Sequence, residues 1–76
     1  MAGQTFKIVE LVGTSTAGVS EAIQAAVGRA GETLQGLSWF EVQQIRGRIE
    51  GDRVAEYQVD LKVGFRLMAA DELRHD

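Results

Sequence analysis

Between Tyr57 and Leu67 the chain alternates without a break: Tyr57, Val59, Leu61, Val63, Phe65 and Leu67 fall on one parity, Gln58, Asp60, Lys62, Gly64 and Arg66 on the other. Successive side chains of a strand point to opposite faces, so this segment belongs in a sheet with one buried face and one polar face. Upstream, Trp39 to Ile49 forms a second strand-like run, and Glu50, Gly51 and Asp52 supply a turn between it and Arg53. The pattern predicts a long hairpin, Trp39 to Ile49 and Arg53 to Leu67. A further strand is expected at Phe6 to Val12, where apolar and β-branched residues are interrupted by Lys7 and Glu10, and it should stop at Gly13.

A buried sheet face needs a cover, and the chain offers one helix to provide it. Thr14 and Ser15 carry oxygens able to cap a helix N-terminus, with Ser15 the expected cap. From there to about Leu34, Val19, Ile23, Ala26, Val27, Ala30 and Leu34 recur at helical spacing and define one apolar side. Gly28 and Gly31 weaken a helix interior, which predicts either close packing or early fraying there, and Gly36 is a stop signal. The expected fold is α+β: a β-α-β-β subunit with a three-stranded antiparallel sheet and one helix packed on one face. Residues 1–76 make a single domain, with an ordered core over about 5–67 and a tail, Ala69 to Asp76, expected to be mobile.

Such a subunit is poorly stabilised by itself. A domain of 76 residues buries only about 60% of the surface exposed by its unfolded chain. There is no cysteine to staple it, and the sole histidine, His75, cannot build a structural metal site. Self-association is the remaining remedy, and the uncovered sheet face is available for it. The net charge of −3 and pI near 5.0 argue against a dedicated nucleic-acid binder. No segment has the length and apolarity of a membrane span, and the expected location is the cytoplasm. No nucleophile, base and orienting partner are grouped in the sequence, so a non-catalytic protein is expected.

Trp39 is the only tryptophan, and three roles are open to it: core, interface anchor or platform for a planar ligand. Gln58 could read the polar edge of such a ligand because an amide both donates and accepts; an ordinary solvated strand residue is the plainer role. Arg46, Arg48, Arg53 and Arg66 carry guanidinium forks suited to phosphate, or to pairing with Glu56 and Asp60 across the sheet. On a regular strand Trp39 and Arg46 have opposite parity and face opposite ways. One ligand could use both only through a bulge, a strong bend, or contributions from different subunits.

The segments Glu10-Leu11-Val12-Gly13-Thr14-Ser15, Trp39-Phe40-Glu41-Val42, Ile45-Arg46-Gly47, Tyr57-Gln58-Val59 and Val63-Gly64-Phe65-Arg66-Leu67, in that order, resemble the dodecin family over about residues 5–67. The resemblance implies a hollow homododecamer that binds flavin in stacked pairs between tryptophans of neighbouring subunits. Trp39 would be the platform and Gln58 the contact to the isoalloxazine edge. Arg46 and Arg66 would hold phosphate-bearing ligands, favouring FMN over riboflavin, and Gln44 would contact the ribityl chain. Some family members also bind coenzyme A. The implied role is storage and photoprotection of flavin without turnover, the alternative being a purely structural oligomer or a coenzyme A-binding protein without a flavin role.

Overall fold

The computed structural model describes residues 3–68. Strand β1 (Phe6–Ser15) leads to helix α1 (Val19–Gly31), followed by the hairpin of β2 (Leu37–Glu50) and β3 (Arg53–Arg66). The sheet order is β1-β3-β2 and both pairings are antiparallel. The most strongly alternating segment is thus the central strand. Gly51 takes the hairpin tip at φ 65°, a left-handed conformation that glycine adopts at no steric cost, and Glu50 pairs with Arg53 across it.

The alternation of β3 sorts as its pattern requires. Val59, Leu61 and Val63 are almost wholly buried beneath α1, each contributing roughly 1.5–3 kcal/mol. The helix meets them with its smallest side chains, Ala22, Ala26 and Ala30, while Val19, Ile23 and Val27 pack at the margins. Small residues let helix and sheet approach closely, and Gly13 marks the closest point. A Cβ there would run into the carbonyl oxygen of Ala22 and stand 2.9 Å from the Ala26 Cβ.

Gly13 therefore does not end the first strand. It lies inside β1, paired with Val59, and the strand continues to Ser15. Nor does Ser15 cap the helix: its Oγ accepts a hydrogen bond from the Ala17 amide at 2.9 Å and shapes the turn, while Gly18 precedes the helix without a side-chain cap. The helix stops at Gly31 rather than near Leu34, so early termination accounts for that glycine, and Gly28 is exposed on the outer face. Gly36, with φ 77°, lies in the connection to β2, where its carbonyl accepts the Arg66 amide at 2.9 Å. The tail from Ala69 lies outside the described residues.

The shape departs from that of a compact domain. The Cα radius of gyration is 15.9 Å, against about 11 Å for a compact chain of this length. The molecule is a slab of 56 × 25 × 13 Å, one helix and one sheet thick. Because β1 ends opposite Tyr57, the outer part of the hairpin, with Ile49 and Val54 exposed, extends beyond it as two strands alone. On β2, Phe40, Val42 and Ile45 are also exposed.

Candidate functional site

Strand β2 changes phase within its length. Val42 stands opposite Leu61 but Gln44 stands opposite Asp60, leaving Gln43 as the extra residue of a bulge. Beyond it the facing of side chains reverses. Trp39, Glu41, Gln44, Arg46 and Arg48 consequently oppose Gly64, Lys62, Asp60, Gln58 and Glu56, the β3 positions whose side chains point away from the helix. The parity conflict between Trp39 and Arg46 is removed within one chain. A second shift at Ser38 separates Leu37, which packs against the core, from Trp39 on the open face.

Trp39 lies on Gly64. An added Cβ at Gly64 would fall among the indole atoms, with Cη2 at 2.6 Å, so the absence of a side chain there creates the seat. Phe6, across the sheet on β1, flanks the ring with centroids 5.1 Å apart and planes tilted by 58°. Such a pair contributes about 0.5–1.5 kcal/mol beyond its buried area and fixes the ring's attitude. With one side on Gly64 the indole remains 42% exposed, which settles its place: it is not core.

Further along the same face the polar residues form a chain. Arg46 Nε donates to Gln58 Oε1 at 3.0 Å and its Nη1 donates to Gln44 Oε1 at 3.2 Å; Gln58 Nε2 donates to Glu56 Oε1 at 3.1 Å. Gln44, Arg46 and Gln58, three of the five residues singled out in the sequence, are thereby brought together. Arg66 is two positions from Gly64 on the open face, opposite Phe6, and its Nη2 donates to Met68 Sδ at 3.1 Å. It flanks the tryptophan seat and not the Gln58 cluster. Gly64, under the indole, and Gln58 are six positions apart on β3, or roughly 20 Å of strand. The indole and the Gln58 amide of one chain are therefore too far apart for a ligand stacked on the first to meet the second.

One further pair on this face carried no sequence signal. Asp60 Oδ1 is buried without a hydrogen-bond partner. Glu10, opposite Lys62 and diagonal to Asp60, has its carboxyl raised above the ordinary glutamate value. The main cause is a hydrogen bond to Asp60, followed by repulsion from that carboxylate and slight desolvation; Lys62 opposes them. Glu56, expected only to pair with an arginine across the sheet, also holds the Gln58 amide. A groove of about 490 Å³ between β1 and α1, lined by Leu11, Ala26, Ala30 and Leu34 with Arg29 at its rim, contains none of the five residues.

Fold and open face together define a small helix-backed sheet subunit that presents a seated indole and an oriented amide on its uncovered side. The profile of the family described as Dodecin matches residues 5–68. A curated dodecin from Thermus thermophilus is 60% identical over 65 residues, covering 86% of this chain and 94% of that protein. The chain belongs to the dodecin family. A crystal structure of a Thermus thermophilus protein superposes with TM-score 0.86 at 57% identity, covering 90% of this chain and all of that one. Dodecin from Streptomyces coelicolor gives TM-score 0.85 at 51% identity, covering 92% and 100%. Crystal structures of the Thermus dodecin also include variants with one tryptophan replaced by phenylalanine and each of two arginines replaced by alanine. Those positions are spaced along that chain as Trp39, Arg46 and Arg66 are here.

Proposed function

We propose that this protein binds flavin, FMN in preference to riboflavin, in a homododecamer that stores the cofactor in the cytoplasm and shields it from light. The observation that carries this is the indole of Trp39, supported from below by Gly64, braced by Phe6 and open above. A flat, half-exposed aromatic ring on a polar sheet face suits a flat conjugated ligand. Membership of the dodecin family supplies the context in which that ligand is a flavin.

The geometry supports a site assembled from more than one subunit, with the ring stacked on Trp39 of one copy and its polar edge met by Gln58 of another. The extended slab and the exposed apolar residues Phe40, Val42 and Ile45 on β2 support association of copies. Arg66 beside the tryptophan seat and Arg46 beside Gln58 place cations on the open face, where a phosphate can recruit either, and Gln44 beside Arg46 suits a hydroxylated chain. An indole in contact with an excited flavin can donate an electron and quench it, which suits protection rather than turnover.

The test is a titration of ligand-free protein into FMN and, in parallel, riboflavin, followed by flavin fluorescence. Saturable quenching at one flavin per subunit, tighter for FMN, is expected. Trp39→Ala should lose the quenching while light scattering still reports the intact oligomer. Absence of quenching by assembled wild-type protein refutes the proposal.

A further inference from the structure

The Gln58 amide is held from two sides by groups of opposite hydrogen-bonding character. A guanidinium only donates and a carboxylate only accepts, whereas an amide's oxygen and nitrogen are almost the same size and exchange places by a simple flip. Here Arg46 Nε donates to Gln58 Oε1 at 3.0 Å and Glu56 Oε1 receives Gln58 Nε2 at 3.1 Å. Flipping the amide would turn its N–H groups toward Arg46 and its oxygen toward Glu56, replacing two charge-assisted hydrogen bonds with two repulsive contacts. The three residues lie on one face, with Arg46 opposite Gln58 and Glu56 two positions along β3.

This arrangement leaves the amide a defined remainder. One N–H on the Glu56 side and one oxygen lone pair on the Arg46 side stay available, in a fixed order along the strand. A ring edge carrying an N–H flanked by carbonyls, held in one place, pairs with that remainder only when its N–H meets the amide oxygen and a carbonyl meets the amide N–H. We propose that Glu56 is a positioning residue: by holding the Gln58 amide in one orientation, it sets which hydrogen-bonding edge of the bound ring the site accepts. This rests on the flavin reading above, and the ring edge concerned is the imide, N3–H flanked by two carbonyls.

The experiment compares riboflavin with N3-methylriboflavin, which lacks that N–H, in wild-type protein, in Glu56→Gln and in Arg48→Gln. The Arg48 variant controls for the ion contact that Arg48 Nε makes with Glu56 at 4.0 Å. Wild type should prefer riboflavin by about tenfold, the equivalent of one well-made hydrogen bond. Glu56→Gln keeps the side-chain length but can donate as well as accept, so riboflavin binding should weaken and the preference shrink to about threefold or less, with N3-methylriboflavin little changed. Arg48→Gln should keep the wild-type preference. Equal weakening of both ligands in Glu56→Gln, or an unchanged preference, overturns the proposal. If Glu56→Gln does not assemble, Glu56→Ala carries the test: it removes the acceptor that holds the Gln58 amide, so the preference should shrink likewise, and an unchanged preference overturns the proposal. Wild-type protein that binds neither compound defeats the flavin reading itself, and this inference with it; wild type that binds both equally defeats only the inference.

Discussion

Gly64→Ala perturbs the seat of Trp39. The new methyl group would stand among the indole atoms, with Cη2 at 2.6 Å, where carbon contacts settle at about 3.5–4.0 Å. The ring must therefore lift by about 1 Å or swing outward. Overpacking costs about 1–3 kcal/mol in a closed core. The indole is 42% exposed, however, so it has room to move. Relief of the removed strand glycine offsets part of the strain, and the net loss of stability should be no more than about 1 kcal/mol. Binding should suffer more. Stacking of a heterocycle on an aromatic side chain is worth about 1–3 kcal/mol, so loss of the seated geometry should weaken FMN binding roughly 5- to 150-fold. Trp39 is the sole tryptophan, so its emission reports the displacement directly as a red shift, and FMN quenching measures its consequence. FMN affinity within twofold of wild type, with unchanged emission, would refute the reasoning that Gly64 seats the ring.

Two other expectations concern the frame around the site. Gly13→Ala sets a Cβ against the backbone carbonyl of Ala22, which cannot yield as a side chain does; the helix must move off the sheet, and urea denaturation should show a loss of about 3 kcal/mol. The second is a pH effect. Because the folded-state pKa of Glu10 lies above its unfolded value, the folded protein holds the proton more tightly, and stability should fall as pH rises from the ordinary glutamate range through the raised pKa. Asp60→Ala removes both the hydrogen bond and the repulsion, so urea midpoints measured across that range should fall less steeply in this variant; an unchanged slope would separate Asp60 from the effect.

The elements were legible where periodicity alone decides them. The uninterrupted alternation of β3 identified that strand and its two faces, because a helix covering one side leaves a strict period of two, while its central place came only with the structure. The end of β1 was not, because Gly13 reads as a breaker when seen alone and becomes a close-approach residue only when Ala22 sits above it. Ala22 itself was passed over for larger apolar residues, although the close contact selects small ones. The placing of Trp39 and Arg46 on one face depended on the bulge at Gln43. A bulge formed without glycine leaves no mark in the residue types, so the sequence could state the conflict but not its resolution. The orientation of Gln58 likewise emerged only once register placed Arg46 opposite it and Glu56 two positions along.

The outer hairpin has order without an interior. Beyond the last pairing of β1 at Ser15 and Tyr57 it is a two-stranded ribbon with Ile49 and Val54 exposed, and such a ribbon is marginal in water on its own. Where a neighbouring molecule completes it, its folding becomes an encounter between chains, and concentration enters its free energy as it does for any bound partner. A substitution in this ribbon can then be silent in a concentrated sample and damaging in a dilute one, with no change in any contact made within the chain.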